Sequence, residues 1–122
     1  MRVETSTGVS IDAESVRNYF HTLINKFFKI LPLYEDKEET LCEYMRNLQI
    51  ELIGCKSFIT ELEHDARYIS MLSVLEQLIG LHSHCGFTIE HRKIKKSVFQ
   101  AISFCEELEE RYERMVLANE EV

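Results

Sequence analysis

TIEHRKIKKSVFQAISFCEELEERYERM, Thr88–Met115, is the stretch whose periodicity decides the fold. Its apolar side chains Ile94, Val98, Ala101, Cys105, Leu108, Tyr112 and Met115 fall three or four residues apart, which places them on one stripe of an α-helix. Thr88 stands where a cap belongs, and Glu90 would follow in the first turn, where a negative charge is favoured. Read on to Leu117, the helix has about thirty residues and a length of about 45 Å at 1.5 Å per residue. The apolar segments before it allow helices of only about 25 to 30 Å. The sequence therefore predicts a last helix that overhangs its neighbours, with Leu108, Tyr112, Met115 and Val116 as a stripe needing cover from the N-terminal leader, a second copy or another protein.

Working outward, Gly80 ends the preceding segment and LHSHCGF, Leu81–Phe87, makes a loop. The segment before it, about His64 to Ile79, is apolar at Tyr68, Ile69, Met71, Leu72, Val74, Leu75, Leu78 and Ile79. So wide an arc predicts a central or interface helix. Residues Cys55–Glu63 are expected to form a short turn or half-helix anchored by Phe58, Ile59 and Leu62. Before Gly54, taken as a left-handed cap, a helix from about Glu38 to Ile53 has Leu41, Met45, Leu48 and Leu52 on one face. Its other face carries Glu38, Glu39, Glu43, Arg46 and Glu51. Another helix runs from Asp12, its expected cap, to Leu31, where Pro32 stops it. Its stripe is Val16, Phe20, Leu23, Phe27 and Ile30, and Phe28 falls off that stripe. Phe104 is likewise off the stripe of the last helix.

These segments predict an all-α fold, a compact bundle of four main helices with a long C-terminal helix and breaks near Pro32–Lys37, Gly54–Thr60 and Gly80–Phe87. Residues 1–11 read as a mobile N-terminal leader and residues 12–122 as a single helical-bundle domain. A chain of 122 residues buries somewhat over 60% of its unfolded surface, enough for a core without staples. No apolar run reaches the roughly eighteen residues of a membrane span, and no N-terminal segment reads as a signal peptide. The expected location is the cytoplasm, with Cys42, Cys55, Cys85 and Cys105 as free thiols.

The net charge of −7 argues against a general nucleic-acid binder, because phosphate neutralisation supplies most of such binding. The charge is uneven. Between His91 and Cys105 there are four cations and no carboxylate, whereas Glu106–Val122 holds seven carboxylates against two arginines. Arg92, Lys93, Lys95 and Lys96 oppose the helix macrodipole. One reading pairs them within the bundle with Glu38, Glu39, Glu43 or Glu61. The other makes them an anion- or partner-binding patch.

His82, His84, Cys85 and His91 carry imidazole and thiol groups suited to zinc or copper, but their spacing matches no standard zinc module, so they are weak metal candidates and no metal or cofactor is expected. His64 and Asp65, with Cys55 or Ser57 nearby, offer the residue types of a nucleophilic site without an activating context, and Asp65 has an obvious role as a helix cap. The glutamates Glu106, Glu107, Glu109 and Glu110 have no apolar cover to raise a pKa for acid catalysis.

The expected function is thus non-enzymatic: a small acidic helical protein acting through protein–protein contact, as an adaptor or a small subunit of a larger complex, and self-associating as a homodimer. Its interface would include Phe28, Phe104, Leu108, Tyr112, Met115 and Val116. Two alternatives belong to other classes. One is a nucleic-acid-associated accessory protein using the Arg92–Lys96 patch. The other is an acidic inhibitor whose carboxylates mimic phosphates. Neither is favoured, and no membrane contact is expected.

Overall fold

The computed structural model describes residues 2–120, with side-chain burial described for residues 2–118. In chain order the elements are β1 (Arg2–Glu4), β2 (Ser10–Asp12), α1 (Ala13–Phe28), α2 (Ile30–Glu35), α3 (Leu41–Phe58), a 3-10 turn (Thr60–His64), α4 (Ala66–Cys85) and α5 (His91–Glu120). The fold is all-α in class, with four main helices, a long C-terminal helix and one small strand pair. Contacts between named residues show that successive long helices run antiparallel, and α5 lies between α1 and α4. Arg17 reaches Glu113 while Phe28 meets Phe99 across the α1–α5 seam. Asp65 reaches Arg111 while Met71 meets Cys105 across the α4–α5 seam.

The core is one cluster. Each of the four stripes read from the sequence supplies it, with Phe20, Leu23, Leu52, Tyr68, Met71, Leu75, Val98, Cys105, Leu108 and Tyr112 all inaccessible to solvent. At its centre the Phe20 ring stacks on Tyr112 at 5.8 Å and meets Tyr68 edge-on at 6.1 Å. Offset and edge-to-face arrangements of this kind add to the gain from burying the rings. The polar ends of the rings are satisfied: the Tyr68 hydroxyl donates to the Leu52 carbonyl at 2.6 Å, and that of Tyr112 to Glu61.

Length resolves differently from the sequence expectation. The long α5 does not outrun its neighbour, because α1 and α2 lie along it in tandem. At one end Arg17 Nη1 meets Glu113 Oε2 at 2.6 Å. At the other the Tyr34 hydroxyl of α2 donates to the Ile89 carbonyl at 2.5 Å and His91 Nε2 meets Glu35 Oε1 at 2.6 Å. Pro32 lies inside α2 rather than in a loop. Having no N–H to give to the Phe28 carbonyl, it leaves the helical ladder interrupted at Lys29, between α1 and α2 and two residues before the expected end at Leu31. Met115 and Val116 are half-buried against the core, so the stripe through Tyr112 is covered by α1 and the 3-10 turn.

Three other expectations change. Gly54 and Gly80 do not end helices; both lie in helix interiors at ordinary negative φ, and the stops come at Ile59 and at Gly86, whose φ is 59°. Asp12 precedes α1 but makes no side-chain cap, because its carboxylate pairs with Arg2 at 2.6 Å. Thr88 does not cap α5, which starts at His91; its hydroxyl donates to the Cys85 carbonyl at 2.6 Å.

Where the sequence suggests a leader without periodic structure, residues 2–12 form an antiparallel hairpin with Val3 opposite Ile11. Val3 and Thr5 are buried, Ser6 N–H donates to the Phe58 carbonyl at 2.8 Å, and Thr5 bridges to Ile59. Gly8 at φ 85° makes the turn. Strands of three residues are too short for alternation to stand out in the sequence.

Candidate functional site

The outward face of the α3–α4 pair combines exposed apolar side chains with a groove. Gln49, Ile53 and Lys56 on α3 and Ile69, Leu72, Ser73 and Glu76 on α4 line a groove of about 280 Å³. Their spacings, four and three on one helix and three, one and three on the other, put each row on one helical face. Ile53 is 46% exposed and Ile69 48%, and Ile50, three residues before Ile53 and on the side of α3 away from the buried Leu48–Leu52 row, is 67% exposed. Isolated exposed isoleucines are ordinary; three on adjoining faces of two packed helices form a patch. The rest of the α4 surface is also sparsely charged, since Glu76 is the only Asp, Glu, Lys or Arg between Arg67 and Glu90. Among the described residues, neither Lys56 nor Glu76 takes part in an ion pair within 4.0 Å. The wide apolar arc of α4 had signalled a face of this kind. Nothing in the sequence had signalled Ile50 and Ile53 of α3, because they lie beside a complete core stripe.

A larger cleft, about 400 Å³, separates α1 from α3 and is lined by Thr22, Asn25, Lys26, Lys29, Tyr44, Asn47, Leu48 and Glu51. Its polar groups are largely spent on holding the two helices together. Lys26 Nζ donates to both Glu51 oxygens at 2.7 and 2.9 Å, Tyr19 donates to Glu51 at 2.9 Å, and Tyr44 donates to the Lys26 carbonyl at 2.6 Å. Lys29 lies over the Tyr44 ring.

The basic segment of α5 is divided by its own geometry. Arg92, Lys95, Lys96 and Phe99 are spaced three, one and three residues and share a face; Lys93 is on another. All four cations are exposed. Arg92 meets Glu90 of its own turn at 3.7 Å, and among the described residues no carboxylate lies within 4.0 Å of Lys93, Lys95 or Lys96. The intramolecular pairing with Glu38, Glu39, Glu43 or Glu61 is thus not formed. Off-stripe Phe28 meets Phe99 edge-on at 5.4 Å, both rings remaining partly exposed, and Lys95 Nζ lies 5.9 Å from the Phe99 ring centre. Off-stripe Phe104 is half-buried in a shallow groove with Ser70, Ser73, Val74, Gln77 and Gln100.

Of the other interface residues read from the sequence, Leu108 and Tyr112 are wholly inside the chain. Burial by α1 removes them from any surface a partner meets.

The expected histidine loop is the last turn of α4, as far as Cys85, and its side chains do not converge. His82 Nδ1 lies 3.0 Å from the Gly86 carbonyl and its ring packs against Phe87 and Tyr34; His84 and Cys85 are exposed; His91 faces Glu35. Among the described residues no three His, Cys, Asp or Glu side chains are placed to hold a metal ion.

His64, Asp65 and Cys55 are not assembled either. His64 is exposed. Asp65 caps α4, accepting from the N–H groups of Arg67 at 2.9 Å and Tyr68 at 3.2 Å, and is held by Arg67 at 3.1 Å and Arg111 at 2.7 Å. Burial alone would push the Asp65 carboxyl up, but the Arg67 guanidinium and the helix N–H groups outweigh it and hold it below its ordinary value. Burial pushes the Cys55 thiol up, and that of Cys105 up to about 12, away from the thiolate a nucleophile needs.

No protein-family model matches the chain, and no curated protein or solved structure is significantly similar to it. Among the described residues no helix is long and apolar enough to cross a membrane.

Proposed function

We propose that the chain is a non-enzymatic, cytoplasmic, helical binding module, an adaptor or small subunit of a larger complex, that docks another protein chain along its α3–α4 face. One observation carries the reading: Ile53 and Ile69 stand exposed along a preformed groove whose two charged members, Lys56 and Glu76, have no ion-pair partner among the described residues, and Ile50, three residues from Ile53, is exposed as well. An apolar centre with unpaired polar groups at its rim is the composition of a protein interface. Folding by itself does not place three isoleucines in water there.

The test is affinity capture of the tagged chain from its native cell, with nuclease and without, beside the Ile53→Asp, Ile69→Asp double variant. The expected result is a protein companion that survives nuclease and is lost with the variant. Retention by the variant, or loss on nuclease treatment, overturns the reading.

The exposed Phe28–Phe99 pair beside Lys95 and Lys96 favours a second reading, contact with a nucleic acid. Aromatic faces beside cations suit stacked bases and phosphates. Binding to an unstructured single strand that weakens steeply with salt and disappears in Lys95→Glu, Lys96→Glu supports that reading; no binding at low salt removes it.

A further inference from the structure

We infer that the chain seated on the α3–α4 face is a second copy of this protein, related by a two-fold axis that crosses the helices. The inference rests on the docking role just proposed and adds the identity of the partner. It follows from where the charges lie along the groove. Because α3 and α4 are antiparallel, with the Tyr68 hydroxyl on the Leu52 carbonyl near one end, Lys56 lies abreast of Ile69, and Gln49 lies abreast of Glu76. Each row spans eight residues, about 10 Å. The groove therefore has a cation at one end with Ile69 beside it, a carboxylate at the other, and Ile53 and Leu72 between them.

Of the two face-to-face arrangements that keep the helices of both copies aligned, only one makes such a surface complementary to itself. If two grooves meet face to face about an axis parallel to the helices, α3 of each copy lies on α4 of the other, and the two Lys56 share one end and the two Glu76 the other. If the axis runs across the helices, the ends exchange, so each Lys56 comes to the end that holds the other copy's Glu76. In the same arrangement α3 lies on α3, which brings together the outward isoleucines Ile50 and Ile53 of both copies. Such an isologous contact buries each patch twice and closes the assembly at two chains. A partner of unrelated sequence has to supply its own opposite gradient. This chain already carries it.

The experiment is a charge exchange read by light scattering, with circular dichroism checking that each protein keeps its helix content. The wild-type chain is expected at the mass of two copies. Lys56→Glu places carboxylates together at both ends and is expected to shift the mass to one copy, as is Glu76→Lys, which places cations together. The double variant Lys56→Glu, Glu76→Lys restores opposite charges and is expected to return to two copies. A wild type that stays at one copy at high concentration overturns the inference. So does a pair of single variants that stay at two copies, or a double variant that stays at one. Capture of a different protein that depends on Ile53 and Ile69 separates the two claims: with a monomeric wild type it leaves the docking role standing and removes only the second copy.

Discussion

Two antiparallel seams of the bundle are built from similar helices and end differently. Along the α1–α5 seam the core rings Phe20 and Tyr112 stack inside, and the rim is crossed by Arg17 to Glu113 at 2.6 Å and His21 to Glu109 at 2.9 Å. Along the α3–α4 seam Leu52 and Tyr68 are as deeply buried, but the rim holds exposed Ile53 and Ile69 and the charges of Lys56 and Glu76 without ion-pair partners among the described residues. The first seam is closed by its own side chains at the Glu113 end and leaves the Phe28–Phe99 pair partly exposed towards the other. The second is complete inside and unfinished outside. An interior can thus be fully packed while the surface over it keeps apolar side chains in water.

The comparison breaks most sharply under substitutions in the core. Phe20→Ala removes the ring that joins Tyr68 and Tyr112, and is expected to cost about 3 to 5 kcal/mol of stability in urea unfolding. Tyr112→Ser is expected to act in the same way, as an unfolding lesion rather than a dissociating one, because the ring is inside the chain. A cost below about 1 kcal/mol for either would mean that the seam is not packed as described.

Next comes Asp65, where the two seams share an anchor. Asp65→Ala removes the α4 cap and leaves Arg67 and Arg111 without their carboxylate, for an expected loss of about 2 to 4 kcal/mol. The pH dependence has a defined sign. A carboxyl whose folded pKa is depressed contributes stability above its unfolded pKa of about 3.9, and that contribution is lost as pH falls through the lower folded value. The wild type is therefore expected to lose stability below about pH 4 more steeply than Asp65→Asn. Parallel acid-unfolding curves would contradict this.

Smaller effects sharpen the comparison. Gly54 and Gly80 lie in helix interiors on the two helices of the open seam, and a Cβ at either meets nothing within 4 Å. Gly54→Ala and Gly80→Ala are each expected to raise stability by about 0.4 to 1 kcal/mol, read by thermal unfolding. Smallest of all, Ile53→Gln and Ile69→Gln are expected to change the stability of the dilute, dissociated chain by no more than about 0.5 kcal/mol. A loss comparable to that of Phe20→Ala would show that these residues belong to the core.

The stripes from Val16 to Ile30 and from Ile94 to Tyr112 were legible because helical periodicity needs only local sequence, and both are buried as their spacing requires. Helix ends were less so. Gly54 and Gly80 look like stops, but a glycine ends a helix only where the chain turns left-handed, and tertiary packing carries both helices past them. The tandem of α1 and α2 was hidden because a proline reads as a terminator, although α2 resumes along α5 with Tyr34 on Ile89. Partners such as Tyr112 with Glu61, or Arg111 with Asp65, lie about fifty residues apart and leave no local trace. The groove was half legible: the apolar arc of α4 was visible, and the facing isoleucines of α3 were not.

The α3–α4 face, and not the aromatic pair of the α1–α5 seam, is the surface we propose receives the partner. The most direct test places two aspartates on each face in turn, Ile53→Asp with Ile69→Asp and Phe28→Asp with Phe99→Asp, and measures what a tagged chain retains, an untagged copy of itself included. The first variant is expected to lose its companion and the second to keep it. Retention by the first together with loss by the second would contradict the claim.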